Sequence, residues 1–199
     1  MRMKLGEGER VIEGLMTTLD EPGRVNLAPM GPIVDANWQR FVLRPFKTAV
    51  TYRNLKATGQ GVFHVTDDVL LIARAAIGQV DVGDGVPTQA AQHVRGVVLG
   101  GACRYYELAV TELDDRQERT TITMQAVHAE RLRDYLGLNR AKHAVIEAAI
   151  LATRLHLTGA APVLAEYEKL QTLVDKTGAA AEHEAMAMLR KLVNQWTGG

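Results

Sequence analysis

Up to residue 129 the apolar positions come in short runs, often alternating with polar residues and separated by Gly, Pro and Asp, the pattern of modest strands joined by turns. After Glu130 the spacing becomes helical. Val11 to Leu19 (VIEGLMTTL) predicts a strand, Asp20-Glu21-Pro22-Gly23 supplies the Pro and Gly of a tight turn, and Arg24 to Val34 returns as its partner. Pro29 and Pro32 lack an N–H, which confines the returning segment to an edge, a bulge or a strand end and leaves backbone groups free to meet a ligand. Arg40 to Leu43 predicts a short strand, Thr48 to Thr58 a helix stopped at Gly59, and Gly61 to Thr66 a further strand. A helix over Val69 to Ala76 follows an Asp67 or Asp68 cap and ends at Gly78, and residues 78–94 are Gly-rich and loop-like. The clearest hairpin joins Arg104 to Leu113 with Arg119 to His128.

Three helices are predicted in the last third: Arg140 to Leu157 behind an Asn139 cap, Pro162 to Val174, and Ala181 to Trp196. In the last of these Ala185, Leu189, Leu192, Val193 and Trp196 share one face. The expected fold is therefore α+β: a small antiparallel β-barrel with short helices over residues 1–130, followed by a small C-terminal helical bundle over residues 131–199.

Composition narrows the function classes. The 199 residues carry 23 basic and 23 acidic side chains and are 47% hydrophobic, as in an ordinary globular protein. Zero formal charge gives no long-range field for nucleic acid or anionic lipid, so a small-molecule ligand is expected, with no nucleic-acid and no membrane partner. Cys103 is the only cysteine, which excludes an intrachain disulfide and any multi-thiolate zinc site. The first residues carry charges throughout and no apolar signal region, and no apolar stretch approaches the ~20 residues that span a bilayer, so a cytoplasmic protein is expected.

Several chemical signals fail. His183-Glu184 lacks the second histidine of a zinc-binding HExxH helix, and His143 with Glu147 reads as a surface or interface pair without a third ligand, so no metal site is expected. The chain has no serine, which eliminates serine-nucleophile hydrolases, and Cys103 reads as a small buried hydrophobe. His64 and His128 lie on predicted strands and read as hydrogen-bonded core residues rather than proton carriers. No catalytic residue is assigned.

What remains is a pair of segments. Asn26-Leu27-Ala28-Pro29-Met30-Gly31 sits at a strand end, and Lys47-Thr48-Ala49-Val50-Thr51-Tyr52-Arg53-Asn54-Leu55 enters a helix. Lys47, Thr48, Thr51, Arg53 and Asn54 place hydroxyls, an amide, two cations and helix N-terminal N–H groups within about one and a half turns, a set of donors that suits a phosphate. An ordinary surface helix would also carry such residues.

These segments resemble the FMN-binding split barrels, the flavin reductases and pyridoxamine-phosphate-oxidase-like proteins. The opening VIEGLMTTLDEPGRVNLAPMGPIV and the following TAVTYRNLKATGQGVFHVTDD are similar to that family's first hairpin and next helix and strand. NRAKHAVIEAAILATRL at Asn139 to Leu155 is similar to the helical region of an uncharacterised prokaryotic subfamily. The resemblance implies an antiparallel split β-barrel, a homodimer and bound FMN. It implies Thr48, Thr51 and Asn54 at the phosphate, with Lys47 and Arg53 as further candidates, Ala28, Pro29, Met30 and Gly31 along the ring, and Asn26 at a ring edge. The implied activity is that of a flavin-reductase-like oxidoreductase passing electrons from a reduced nicotinamide or similar donor to a small acceptor. A non-catalytic flavin- or deazaflavin-binding carrier or scaffold, with the helical tail docking a partner, is the alternative.

Overall fold

The computed structural model describes residues 5–80, 82–83 and 85–197, and its contacts divide the chain into two compact units. The first holds residues 1–66 and 81–134, the second residues 67–80 and 135–199. This differs from a boundary near residue 130, because an α-helix inserted between two strands of the first unit packs with the C-terminal helices instead.

In chain order the first unit carries β1 (Arg10–Val11), β2 (Gly14–Leu19), β3 (Val25–Met30), β4 (Ile33–Val34), β5 (Arg40–Leu43), α1 (Val50–Thr58) and β6 (Gln60–Val65). The inserted helix α2 (Val69–Ala76) belongs to the second unit; β7 (Thr88–Ala90), β8 (Val97–Leu99), β9 (Arg104–Asp114) and β10 (Thr121–Arg131) then complete the first. Eight strands form one antiparallel sheet in the order β1-β4-β5-β10-β9-β6-β2-β3, and β7 and β8 form a separate hairpin. Two pairs of consecutive strands, β1 with β2 and β3 with β4, stand at opposite ends of that order. Links of two residues, Ile12-Glu13 and Gly31-Pro32, cannot cross a flat eight-stranded sheet with strands about 4.8 Å apart, so the sheet curls until its ends meet as an open barrel.

The single strand predicted over Val11 to Leu19 is thus two. It breaks where the chain passes from pairing with β4, a register that the Ile12 N–H extends by donating to Pro32 O at 3.1 Å, to pairing with β3 and β6. The interior is filled by inward residues of both walls, among them Met16, Phe41, Leu43, Phe63, Leu108 and Met124, with Leu55 of α1 packed against them. The turn Asp20 to Gly23 forms as predicted: the Asp20 carboxylate accepts from the Gly23 and Arg24 N–H groups, and Gly23 takes φ 100°.

The second unit adds α3 (Arg140–Ala152), α4 (Leu155–Thr158), α5 (Ala160–Thr177) and α6 (Ala180–Gln195) to α2. Asn139 caps α3 by accepting from the Ala141 and Lys142 N–H groups, and Asp68 caps α2 by accepting from Leu71 N–H. Ala141, Ala144, Ala148 and Ala149 let α3 approach its neighbours closely, and Tyr167 of α5 is buried with its hydroxyl donating to Ala148 O at 2.7 Å. The helix predicted over Arg140 to Leu157 ends early: Thr153 and Arg154 interrupt it, and α4 follows as a separate turn.

Candidate functional site

The ten residues singled out in the sequence fall on β3 and just past its end, on the turn before α1 and on α1 itself. β3 is an edge of the sheet, and all six of its residues are half-buried. Pro29 pairs with Leu15 and Ala28 with Met16, so the proline stands on an edge strand, where its missing N–H costs least. Met30 also packs on the barrel interior, and Gly31 is exposed just past the strand.

Asn26, Thr51 and Asn54 meet at a residue the sequence reading passed over as a site, Thr18 of β2, which is fully buried. The Asn54 amide donates to Thr18 Oγ1 at 3.1 Å and the Asn26 amide at 3.4 Å, while Asn26 also donates to Thr51 Oγ1 at 3.1 Å. Thr51 and Asn54 are buried at 3% and 5% exposure, so this network joins α1 to the β2–β3 hairpin. The second threonine of the Thr17-Thr18 pair was the one signal for it in the sequence.

Thr48 and Arg53, by contrast, are exposed, and the Arg53 guanidinium donates to Thr48 O at 2.8 Å. Lys47 is half-buried; its backbone N–H donates to Glu118 O at 3.0 Å, and its ammonium adds a little to the hydrogen bonds from Lys56 and Tyr52 that hold Asp115 below the usual carboxylate range. The N-cap of α1 is Ala49, which has no side chain able to cap, so the first-turn N–H groups have no side-chain acceptor from that position. Phe46 and Val50 beside this turn are 54% and 43% exposed.

A second constellation gave no sequence motif: His93, Glu107 and His128, whose ligand-capable atoms all lie within 4.8 Å of one another. His64, expected as a core residue, is one, and is fully buried.

The fold and these sites define an antiparallel split β-barrel joined to a helical unit. The chain belongs to the DUF447 family: the description "Protein of unknown function (DUF447) N-terminal domain" matches residues 12–133, and "Protein of unknown function (DUF447)" matches residues 139–191. An FMN-bound DUF447 protein from Methanosarcina mazei is similar over 95% of this chain and 96% of its own, at 22% identity and a TM-score of 0.79. The NADH:FAD oxidoreductase of Streptomyces globisporus, in complex with NAD and FAD fragments, is similar over 61% of this chain and 74% of its own, at 16% identity and a TM-score of 0.52. The flavoredoxin of Desulfovibrio vulgaris is similar over 65% and 76%, at 16% identity and a TM-score of 0.52. No curated protein matches the sequence. Among the described residues no helix is long and apolar enough to cross a membrane.

Proposed function

We propose that the barrel unit binds FMN and that the chain works as a homodimeric flavoprotein of the oxidoreductase class, acting between a reduced nicotinamide or similar donor and a small acceptor. The observation that carries this reading is the N-terminus of α1, which lacks a side-chain cap and has exposed Thr48 and Arg53 beside it. A hydroxyl, a guanidinium and N–H groups without a side-chain cap at the positive end of a helix are the donors a phosphate dianion takes. The FMN-bound relative from Methanosarcina mazei, matched over nearly the whole chain, supports the same ligand.

The residues present fit the group. Thr48, Arg53 and the first-turn N–H groups would hold the phosphate, with Lys47 adding positive charge. The half-buried edge at Ala28, Pro29 and Met30, with the exposed Gly31 just past it, would lie along the ring. Asn26, Thr51 and Asn54 act through Thr18: their hydrogen bonds fix where α1 starts relative to β3, and so the spacing between phosphate and ring positions. FMN when bound supplies hydride and single-electron chemistry, and the chain supplies orientation and electrostatics. Phe46 and Val50, both exposed beside the phosphate turn, suit contact with a second copy of the chain.

The test is the absorbance spectrum of freshly purified untagged protein, followed by parallel titrations with FMN and riboflavin. Flavin bands or tight FMN uptake are expected. A Thr48→Ala, Arg53→Ala double variant, altered only at exposed positions, is expected to bind FMN about tenfold or more weaker and riboflavin unchanged. A colourless protein that ignores FMN overturns the reading. Bleaching by NADH or NADPH, followed by reoxidation by an acceptor, separates an oxidoreductase from a carrier.

A further inference from the structure

Glu107 of β9 is a fully buried carboxylate. Its two oxygens accept three successive backbone N–H groups from the loop between β7 and β8: Gln92 at 2.9 Å, His93 at 2.6 Å and Val94 at 2.9 Å. The loop closes on itself through Ala91 N–H to Gly96 O at 2.9 Å, and it lies so near β6 that a Cβ on Gly96 would stand 2.8 Å from Val62 Cγ2. Thr17 Oγ1 donates to Val97 O at 2.5 Å and holds the same hairpin from β2.

His128 reaches Glu107 through an irregularity in β10. The register shifts between Ala126 and His128, so Val127 is left without a partner in the ladder and His128, not Val127, stands opposite Glu107. A bulge of this kind re-aims a side chain. The His128 ring stacks on His93 with centroids 4.4 Å apart, and Tyr105 packs against its other neighbourhood at 5.9 Å while donating to Glu130 Oε2 at 2.7 Å. His128 Nε2 is buried without a hydrogen-bond partner. Buried polar atoms are seldom left so. His93 Nδ1 lies 3.9 Å from Glu107 Oε2, outside hydrogen-bond range, and the His93 side chain is 51% exposed.

We infer that His93, Glu107 and His128 bind one divalent transition ion of the zinc class, which clamps the β7–β8 hairpin onto the barrel. Two imidazoles and one carboxylate are a zinc ligand set, with water completing a tetrahedron. Bonds of about 2.0–2.2 Å place tetrahedral ligands roughly 3.3–3.5 Å apart, so the 4.8 Å cluster needs a contraction on the order of 1 Å. The half-exposed His93 ring is the ligand freest to turn toward the other two. The ion gives the orphaned His128 nitrogen a partner and neutralises a carboxylate that has no Lys or Arg among its contacts within the described residues. This inference does not rest on the flavin reading.

The experiment is zinc titration of the untagged full chain after chelator treatment, reading bound metal after gel filtration and the midpoint of thermal unfolding. Wild type is expected to retain one zinc per chain and to melt higher with zinc. His93→Ala and His128→Ala, tested singly because Glu107→Gln would also release the loop, are expected to bind tenfold or more weakly and to lose the zinc-dependent rise while melting as wild type does without metal. His156→Ala, on the helical unit, is expected to keep both properties. The inference is overturned if wild type retains no zinc, or if either single-histidine variant binds as tightly as wild type.

Discussion

Within the barrel His64 of β6 is held from two sides: Nδ1 lies 3.2 Å from Leu15 O and Nε2 lies 3.0 Å from the Leu99 nitrogen. An N–H can be accepted only by an unprotonated ring nitrogen, so the ring is the neutral tautomer that donates from Nδ1 to Leu15 O. Burial drives its pKa from 6.5 down to about 4, against the smaller opposing effect of the Leu15 carbonyl. Since the folded value is the lower one, the stabilisation is complete above about pH 6.5 and is lost as pH falls toward 4, on the order of 3 kcal/mol in all. Denaturant unfolding followed from pH 7 to 4 is expected to show this loss, and His64→Leu to flatten it while costing about 1–3 kcal/mol at pH 7 for the Leu99 N–H left unpaired. A pH dependence equal in the two proteins would refute the assignment. That a strand histidine serves the core was legible in the sequence; that His128 does not share this role was not, because the bulge at Val127 leaves no signature in residue order.

Helices α3 and α6 are tied by one nearly buried ion pair. Lys142 Nζ donates to Glu182 Oε1 at 2.8 Å and to Asp67 O at 2.8 Å, and Glu182 Oε2 accepts the Ala179 N–H that opens α6. Burial pushes the Glu182 carboxyl up, but Lys142 and the Ala179 N–H outweigh it and hold it below its ordinary value. Lys142→Met is expected to lower unfolding free energy by about 3–5 kcal/mol, since it strands a buried carboxylate, and Glu182→Met added to it to recover most of that loss. Chemical denaturation of the three proteins decides this; additive losses would show that the pair is not coupled. Element boundaries followed sequence punctuation closely where a cap exists, as at Asn139 and at Gly59 with φ 68°. They departed from it where partners decide. The breaks at Ile12-Glu13 and Thr153-Arg154 carry no Gly or Pro, and at the first the strand changes partner, from β4 to β3 and β6.

Across the whole molecule, α2 lies in sequence inside the barrel segment but packs among the C-terminal helices, with Val69 and Ala73 in their core. A chain truncated after Asp134 would leave this face of α2 without partners. Such a protein is expected to bind a hydrophobic dye and to unfold at lower temperature than the full chain; an unchanged midpoint with no dye binding would show that the barrel segment is self-sufficient. The sequence by itself determined the strand-rich and helical halves, the exclusion of β3 from an uninterrupted central ladder and the gathering of polar donors around the start of α1, because periodicity, proline and the residues at a helix terminus are local properties of residue order. Only the tertiary structure decided that Thr51 and Asn54 turn inward to Thr18, that α2 joins the helical unit, and that His93, Glu107 and His128 meet. Those facts depend on which distant segments become neighbours, and curling the sheet and folding back the β7–β8 loop bring together residues that no local spacing relates.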